Sequence, residues 1–247
     1  MSQVKLGDKN IPFIHQGNEL LYPNPVKNGL VLYYDFKGMK NSDVTKAITK
    51  DLSGNTTQNL GFLKGFLYTS QSGYANKGLK FDGIDDKITV YGYNGRFMLD
   101  NLTVEWTGKI NVSENNKIRH IINCGYYKGW SLTYHDSNQL MLCIKNSLKE
   151  DGWSRTYLSR NVFEVGSEPF HFTAVFSPNG IKCYINGDYK EDGSISTEIQ
   201  PQYEEMFDIA IMNNLEGSLM STRIYNRELT EEEIKHNYQL EKERWGL

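Results

Sequence analysis

Phe170, Phe172, Ala174 and Phe176 take every second position, with His171, Thr173 and Val175 between them. A strand turns successive side chains to opposite faces, so a period of two is what a strand lining a core requires. Ser177-Pro178-Asn179-Gly180 breaks the run with turn formers, Ile181, Cys183 and Ile185 resume it, and Asn186-Gly187 turns the chain again. The same period places Leu32, Tyr34 and Phe36 on one face, and Leu140, Leu142 and Ile144 on another. In residues 101–110 it turns Val104 and Trp106 inward and Thr103, Glu105, Thr107 and Lys109 outward. Residues 118–124 and 130–134 read as further strands, and 145–169 as a polar, irregular connection across a rim. No strand–helix–strand rhythm interrupts these runs. The pattern predicts an all-β protein, an antiparallel two-sheet jelly-roll sandwich.

One helix is expected, at the end. Leu219 to Ile224 reads as a strand and Tyr225-Asn226-Arg227 as a turn. Thr230 then opens a helix with Glu233 three residues on, the spacing of a capping box. Glu231, Glu232 and Glu233 suit the positive end of the helix dipole, and Lys242 and Arg244 its negative end. Ile234 and Tyr238 share a face that can pin the helix down. At the other end, residues 1–27 read as a small β module: short apolar stretches, a Gln16-Gly17-Asn18 turn, a Glu19–Tyr22 return, and Pro23 and Pro25 at the exit. A piece that small cannot bury a core alone, so it reads as a docking module, with residues 28–247 forming the sandwich.

Charge and cysteine usage narrow the function classes. Lys and Arg number 27 against 30 Asp and Glu, with a sequence pI near 6.0, which gives no electrostatic attraction for nucleic acid. No apolar run is long enough to cross a bilayer, and the opening MSQVKLGDKN has no apolar signal core. Three cysteines, Cys124, Cys143 and Cys183, form neither a CxxC nor a metal-ligand spacing, so buried thiols in a reducing compartment are expected.

Several stretches carry a family resemblance. "GLVLYYDF" at 29–36, "DLSGN" at 51–55, "FDGIDD" at 81–86, the hairpin at 170–187 and the strand–turn–helix at 217–238 resemble the laminin-G-like, concanavalin A-like lectin/glucanase domains. Phe170-His171 departs from the Trp-His often found in that family, but Phe fills the same apolar slot. The resemblance implies a concanavalin A-like jelly roll with lectin-like surfaces. The opening module is similar to the openings of structural proteins from tailed phages of Gram-positive bacteria. That likeness implies a virion component of tail, neck or fibre, made in the host cytoplasm and oligomeric in its assembly. Its partners would be other virion proteins and host cell-wall polysaccharide, without nucleic acid or membrane.

Catalysis is not expected. A glycosidase needs two carboxylates about 5–9.5 Å apart across one bond, usually on alternate positions of one strand. Glu105 stands alone on its strand, Asp208 has no partner two residues on, and Glu231 to Glu233 belong to the helix cap. The five histidines are scattered, without HExxH or a Ser-His-Asp set, and His171 reads as a hydrogen-bonded framework residue. Asp82, Asp85 and Asp86 crowd oxygens as a structural calcium site would. They equally suit the capping of their own turn, which is the favoured reading. For sugar binding the candidates are Tyr126, Tyr127 and Trp130 around Gly125 and Gly129, and Trp153 with Tyr157. Asn123, Asp136, Asn138 and Arg155 would supply polar contacts. Each aromatic is equally readable as core or as an interface anchor. The expected function is a non-catalytic, lectin-like virion protein. The alternatives are a bacterial carbohydrate-binding protein of the same fold and, less favoured, a glycoside hydrolase.

Overall fold

Two antiparallel sheets lie face to face in the computed structural model, with a single helix closing the back of one of them. The structure describes residues 5–6, 9–10, 14–16, 19–22, 24–55, 59–92, 95–111, 119–125, 129–135, 139–158, 166, 168–190, 200–201 and 208–247; for 5–22, 135 and 157 it describes the backbone. At the start, β1 (Lys5–Leu6) pairs with β2 (Lys9–Asn10), and β3 (Ile14–Gln16) with β4 (Glu19–Tyr22). The sandwich strands follow: β5 (Leu30–Asp35), β6 (Ile48–Thr49), β7 (Gly61–Lys64), β8 (Gly73–Ala75), β9 (Gly78–Asp82), β10 (Lys87–Val90) and β11 (Leu102–Ile110). Then come β12 (Arg119–Cys124), β13 (Trp130–His135), β14 (Gln139–Lys145), β15 (Trp153–Leu158), β16 (Phe170–Ser177) and β17 (Gly180–Ile185). The last are β18 (Asp188–Lys190), β19 (Ile209–Asn213), β20 (Glu216–Tyr225) and the helix α1 (Glu231–Trp245).

The front sheet runs β15-β14-β13-β12-β19-β10-β7-β6, and the back sheet β18-β17-β16-β11-β20-β9-β8 with β5 also pairing β20. The inward side chains of both meet in one core, with Trp106, Phe172 and Phe176 from the back and Ile88, Ile122, Leu132 and Leu142 from the front. The turn at Asn186-Gly187 joins β17 to β18 with both residues at positive φ, 52° and 77°, as the primed turn of a two-residue hairpin demands. Gly187 is also where α1 touches the hairpin: a Cβ there would lie 2.9 Å from Cδ1 of Tyr238.

The irregular connection expected over 145–169 contains an edge strand, β15, which pairs with β14 through Lys145↔Trp153 and Cys143↔Arg155. Its inward positions are Ser154, Thr156 and Leu158. All three are buried, but two of them are Ser and Thr, so an apolar alternation was not there to be read. All three cysteines are buried and in no disulfide, and burial pushes the Cys124 and Cys143 thiols up. No helix among the described residues is long and apolar enough to cross a membrane.

The helix forms where the capping box predicts. The Thr230 side chain accepts from the Glu233 amide at 3.3 Å, Glu233 accepts from the Thr230 amide at 2.9 Å, and Gly246 ends the helix in the left-handed region. What it covers corrects one expectation. Thr103, Glu105 and Thr107 do face away from the core, yet all three are buried, because α1 lies over that side of β11 and β20. Arg223 on β20 pairs with Glu105 at 3.1 Å and with Glu241 of the helix. Asn237 donates to Glu105 at 3.0 Å and to the Tyr225 hydroxyl at 2.9 Å. Its carbonyl oxygen accepts from the Val26 amide at 3.0 Å, and His236 meets the Asn24 carbonyl at 2.9 Å. Further along, Arg244 pairs with Asp35 at 2.6 Å. His171 is framework: its ring nitrogens meet Thr107 Oγ1 at 2.8 Å and Thr173 Oγ1 at 3.3 Å.

Candidate functional site

Among the described residues no helix lies on the outward face of the front sheet, and the register places its side chains in lines across the strands. Phe62 stands opposite Thr89, Thr89 opposite Ala210, and Ala210 opposite Asn123. The same line continues through Ser131, Cys143 and Arg155. A neighbouring line carries His120, Thr133 and Met141. Most of these residues alternate with core residues of their strands, as Asn123, Ser131, Thr133, Met141 and Cys143 do with Ile122, Leu132 and Leu142; His120 joins them through a register shift between it and Ile122. The middle is a hydrogen-bonded patch of small groups. Ser131 Oγ lies 3.0 Å from Cys143 Sγ and 3.2 Å from Thr133 Oγ1, and Thr133 Oγ1 lies 3.3 Å from Nδ1 of His120. Ser131, Thr133 and His120 are buried; Phe62, Thr89, Met141 and Arg155 are partly exposed.

Burial lowers the His120 imidazole from 6.5 to about 4. The unfolded chain therefore binds a proton between those values that the folded chain refuses, and stability falls as the pH drops through that window. The contribution, complete above 6.5, is about 3 kcal/mol at the full shift. Urea titrations of the wild type and of His120→Gln should show a steeper loss in the wild type between pH 6.5 and 4; parallel curves would refute it.

The sugar-binding candidates separate. Trp130 is 1% exposed, donates Nε1–H to the Phe97 carbonyl at 2.9 Å and packs on Phe176 across the sandwich. It is a core residue and offers no plate to a ligand, because β13 sets it opposite the core residue Ile144. Trp153 is half-buried on the outer face of the edge strand, with Lys145 Nζ 5.4 Å and Arg155 Cζ 5.8 Å from its ring. Asn123 and Arg155 share the line described above. Tyr126, Tyr127, Asp136 and Asn138 lie outside the described residues, as does the side chain of Tyr157. Lys145, Ser131 and Thr133 were not singled out from the sequence, although each alternates with a core position of its strand and so was open to the same reading.

The strands of this sheet carry no acid; Asp151, in the turn before β15, pairs with Arg155 at 2.6 Å. The strands of the front sheet read WSRTYL, QLMLCIK, WSLTYH, RHIINC, IAIMN, KITV, GFLK and IT, without one Asp or Glu. Asp208, just before β19, accepts the Gly92 amide at 2.9 Å. Glu105 is buried on the other sheet.

Asp82, Asp85 and Asp86 do converge, each with a ligand atom within 4.8 Å of the others. Hydrogen bonds of the turn occupy three of the six carboxylate oxygens. Asp82 Oδ1 accepts the Ile84 amide at 2.8 Å, and Asp86 accepts the Asp82 amide and the Ser72 hydroxyl, both at 3.0 Å. Gly83 turns at φ 77°, where a Cβ would lie 2.9 Å from the Glu216 amide nitrogen. Burial pushes the Asp86 carboxyl up, against the pull of those two hydrogen bonds.

The family model described as concanavalin A-like lectin/glucanases superfamily matches residues 82–235, well over half of the chain. No curated protein matches. Among solved structures, a receptor binding domain of botulinum neurotoxin mosaic serotype C/D aligns with TM-score 0.64 at 18% identity, over 86% of this chain and 51% of that one. The binding domain of botulinum neurotoxin DC in complex with SialylT aligns with TM-score 0.58 at 14% identity, over 87% and 51%. Trypanosoma rangeli sialidase aligns with TM-score 0.60 at 15% identity, over 87% of this chain and 33% of the enzyme. The chain thus spans about half the length of the toxin domains and a third of the sialidase. At these identities the likeness is one of fold.

Proposed function

This chain belongs to the concanavalin A-like lectin/glucanase superfamily, and from that premise we propose that it binds glycan without cleaving it, as a structural component of a phage virion. The observation that carries the reading is the outer face of the front sheet: an indole set between two cations, beside a line of small polar groups, on strands without a single carboxylate. Stacking on Trp153 and hydrogen bonds from Arg155 and Lys145 give what a sugar ring needs, while Asn123 is buried three strands away. Acid–base cleavage would need two carboxylates there. Cell-wall polysaccharide of the host is the expected ligand. Binding in a glycan panel, lost at least about tenfold in Trp153→Ala, with no reducing ends released, supports this. Release of reducing ends by the wild type would overturn the non-catalytic reading.

The virion role rests on the opening module. Its two ladders, β1-β2 and β3-β4, form sheets of their own beside the sandwich, which suits a docking piece that finishes its pairing on other virion proteins. Particles assembled with a chain lacking residues 1–27 should not incorporate it. Normal incorporation, by immunogold labelling, would refute the docking role.

Calcium has no part in this proposal. The hydrogen bonds of Asp82 and Asp86 leave few oxygens for a cation that takes six to eight of them. The melting temperature should be the same in calcium and in chelator. Asp86→Ala should cost about 1–3 kcal/mol in both, by orphaning the Asp82 amide and the Ser72 hydroxyl. Calcium-dependent melting would assign the cluster to the ion instead.

A further inference from the structure

We propose, resting on the glycan-binding reading above, that the saccharide taken by the front sheet is acidic, a polymer carrying carboxylate or phosphate groups. The two sheets differ in charge more than in shape. Strands of the back sheet balance the acids Asp35, Asp82, Glu105, Asp188 and Glu216 against the bases Lys80, Lys109, Lys182, Lys190 and Arg223. Strands of the front sheet carry Lys64, Lys87, Lys145 and Arg155 on the outer face, with Arg119 buried beside the Tyr134 ring, and no acid. The chain as a whole has a formal net charge of −3, so this segregation is not the overflow of a basic protein.

Two places on the outer face sharpen the point. Lys64 and Lys87 are directly opposed in register on β7 and β10. Like charges in that position work against the sheet, and no strand of this sheet brings a carboxylate to relieve them. At the other end Lys145 stands opposite Trp153, and Arg155 is the next residue on the same face, so the indole has a cation on either side. A neutral sugar gains a plate and hydrogen bonds from such a site, and the two cations add little to it. A sugar with an anionic substituent stacks and is neutralised at once. Asp151, in the turn before β15, holds one amino group of Arg155 at 2.6 Å. Both are solvent-exposed, and an exposed ion pair of this kind yields to a competing anion. From β10 to β14 there are four strand spacings, at least about 19 Å. A ligand that meets both cation pairs is therefore a chain and not a single ring.

The test is calorimetric titration of the full chain with polygalacturonate, its fully methyl-esterified form, poly(glycerol phosphate), neutral glucans and polyglutamate, each at low and high salt. The esterified polymer keeps the backbone and loses the charge. Binding of polygalacturonate or of poly(glycerol phosphate) is expected, at least about tenfold weaker at high salt, with the esterified form inactive. Which of the two binds identifies carboxylate or phosphate. The double variant Lys145→Ala, Arg155→Ala should lose about tenfold or more at an unchanged melting temperature, and Trp153→Ala should lose as much. Equal, salt-insensitive binding of the esterified form or of a neutral glucan would overturn the acidic ligand and leave glycan binding standing. Equal binding of polyglutamate, indifferent to Trp153→Ala, would overturn it as diffuse attraction. Binding of none of these polymers would overturn both readings.

Discussion

Replacing Arg223 with Met should destabilise the protein by about 3–5 kcal/mol in urea denaturation. Arg223 is 1% exposed, lies 4.6 Å over the Tyr33 ring and joins Glu105 on β11 to Glu241 on α1. Without it, two carboxylates face each other in a space that excludes water. The loss arises from those stranded charges more than from the pair itself, so a second experiment separates the two. Adding Glu105→Gln and Glu241→Gln to Arg223→Met should recover most of the stability, since Asn237 and Ser221 still have side-chain oxygens to bond. A single variant that costs under about 1 kcal/mol would show that the network carries no net weight. The same groups set an acid limit. Burial alone would raise the Glu105 carboxyl, but His171, Arg223 and Asn237 outweigh it and hold it below 4.5. Its contribution is present at neutral pH and is lost as the pH falls from 4.5 through that lowered value.

Trp130→Ala should cost about 3–5 kcal/mol, the range for emptying an aromatic site in a packed core. It would also orphan the Phe97 carbonyl that the indole bonds at 2.9 Å. Trp153→Ala should cost no more than about 1 kcal/mol, because that ring is half-buried on an edge strand. Thermal or urea denaturation of the two variants side by side checks the contrast. Similar losses in both would mean that Trp153 is also a packing residue, and the binding face would lose its plate.

The strands were legible because a period of two survives in single residues: Phe170, Phe172 and Phe176 point inward as their spacing says. The helix was legible to its first residue because a capping box is local chemistry. What lay beyond the sequence was the far side of β11. Periodicity sorts Glu105 from Trp106 but says nothing of what is laid over either face. Asn237 and Glu241 share the face of Ile234 by helical spacing, but polar side chains give no sign of burial; they and Arg244 are buried because their polar partners stand on β5, β11 and β20, far away in the chain. Trp130 misled for a related reason. Gly125, Gly129 and two tyrosines around it have loop composition, while the register that buries it depends on Ile144 of the next strand. At the candidate site, the lack of acids on its strands was visible in the sequence. That it belongs to one sheet was not, since those strands are scattered along the chain and are gathered only by pairing.

The bonds from Asn237 and His236 to Val26 and Asn24 have a mechanical meaning. A pull arriving through the first residues meets the last helix before it reaches any strand of the sandwich. Asn237 hands the load to Glu105 and Tyr225, inside the back sheet and away from its edges. A sandwich gripped in this way resists being unzipped from a border, and its front sheet keeps a set bearing relative to the amino-terminal end.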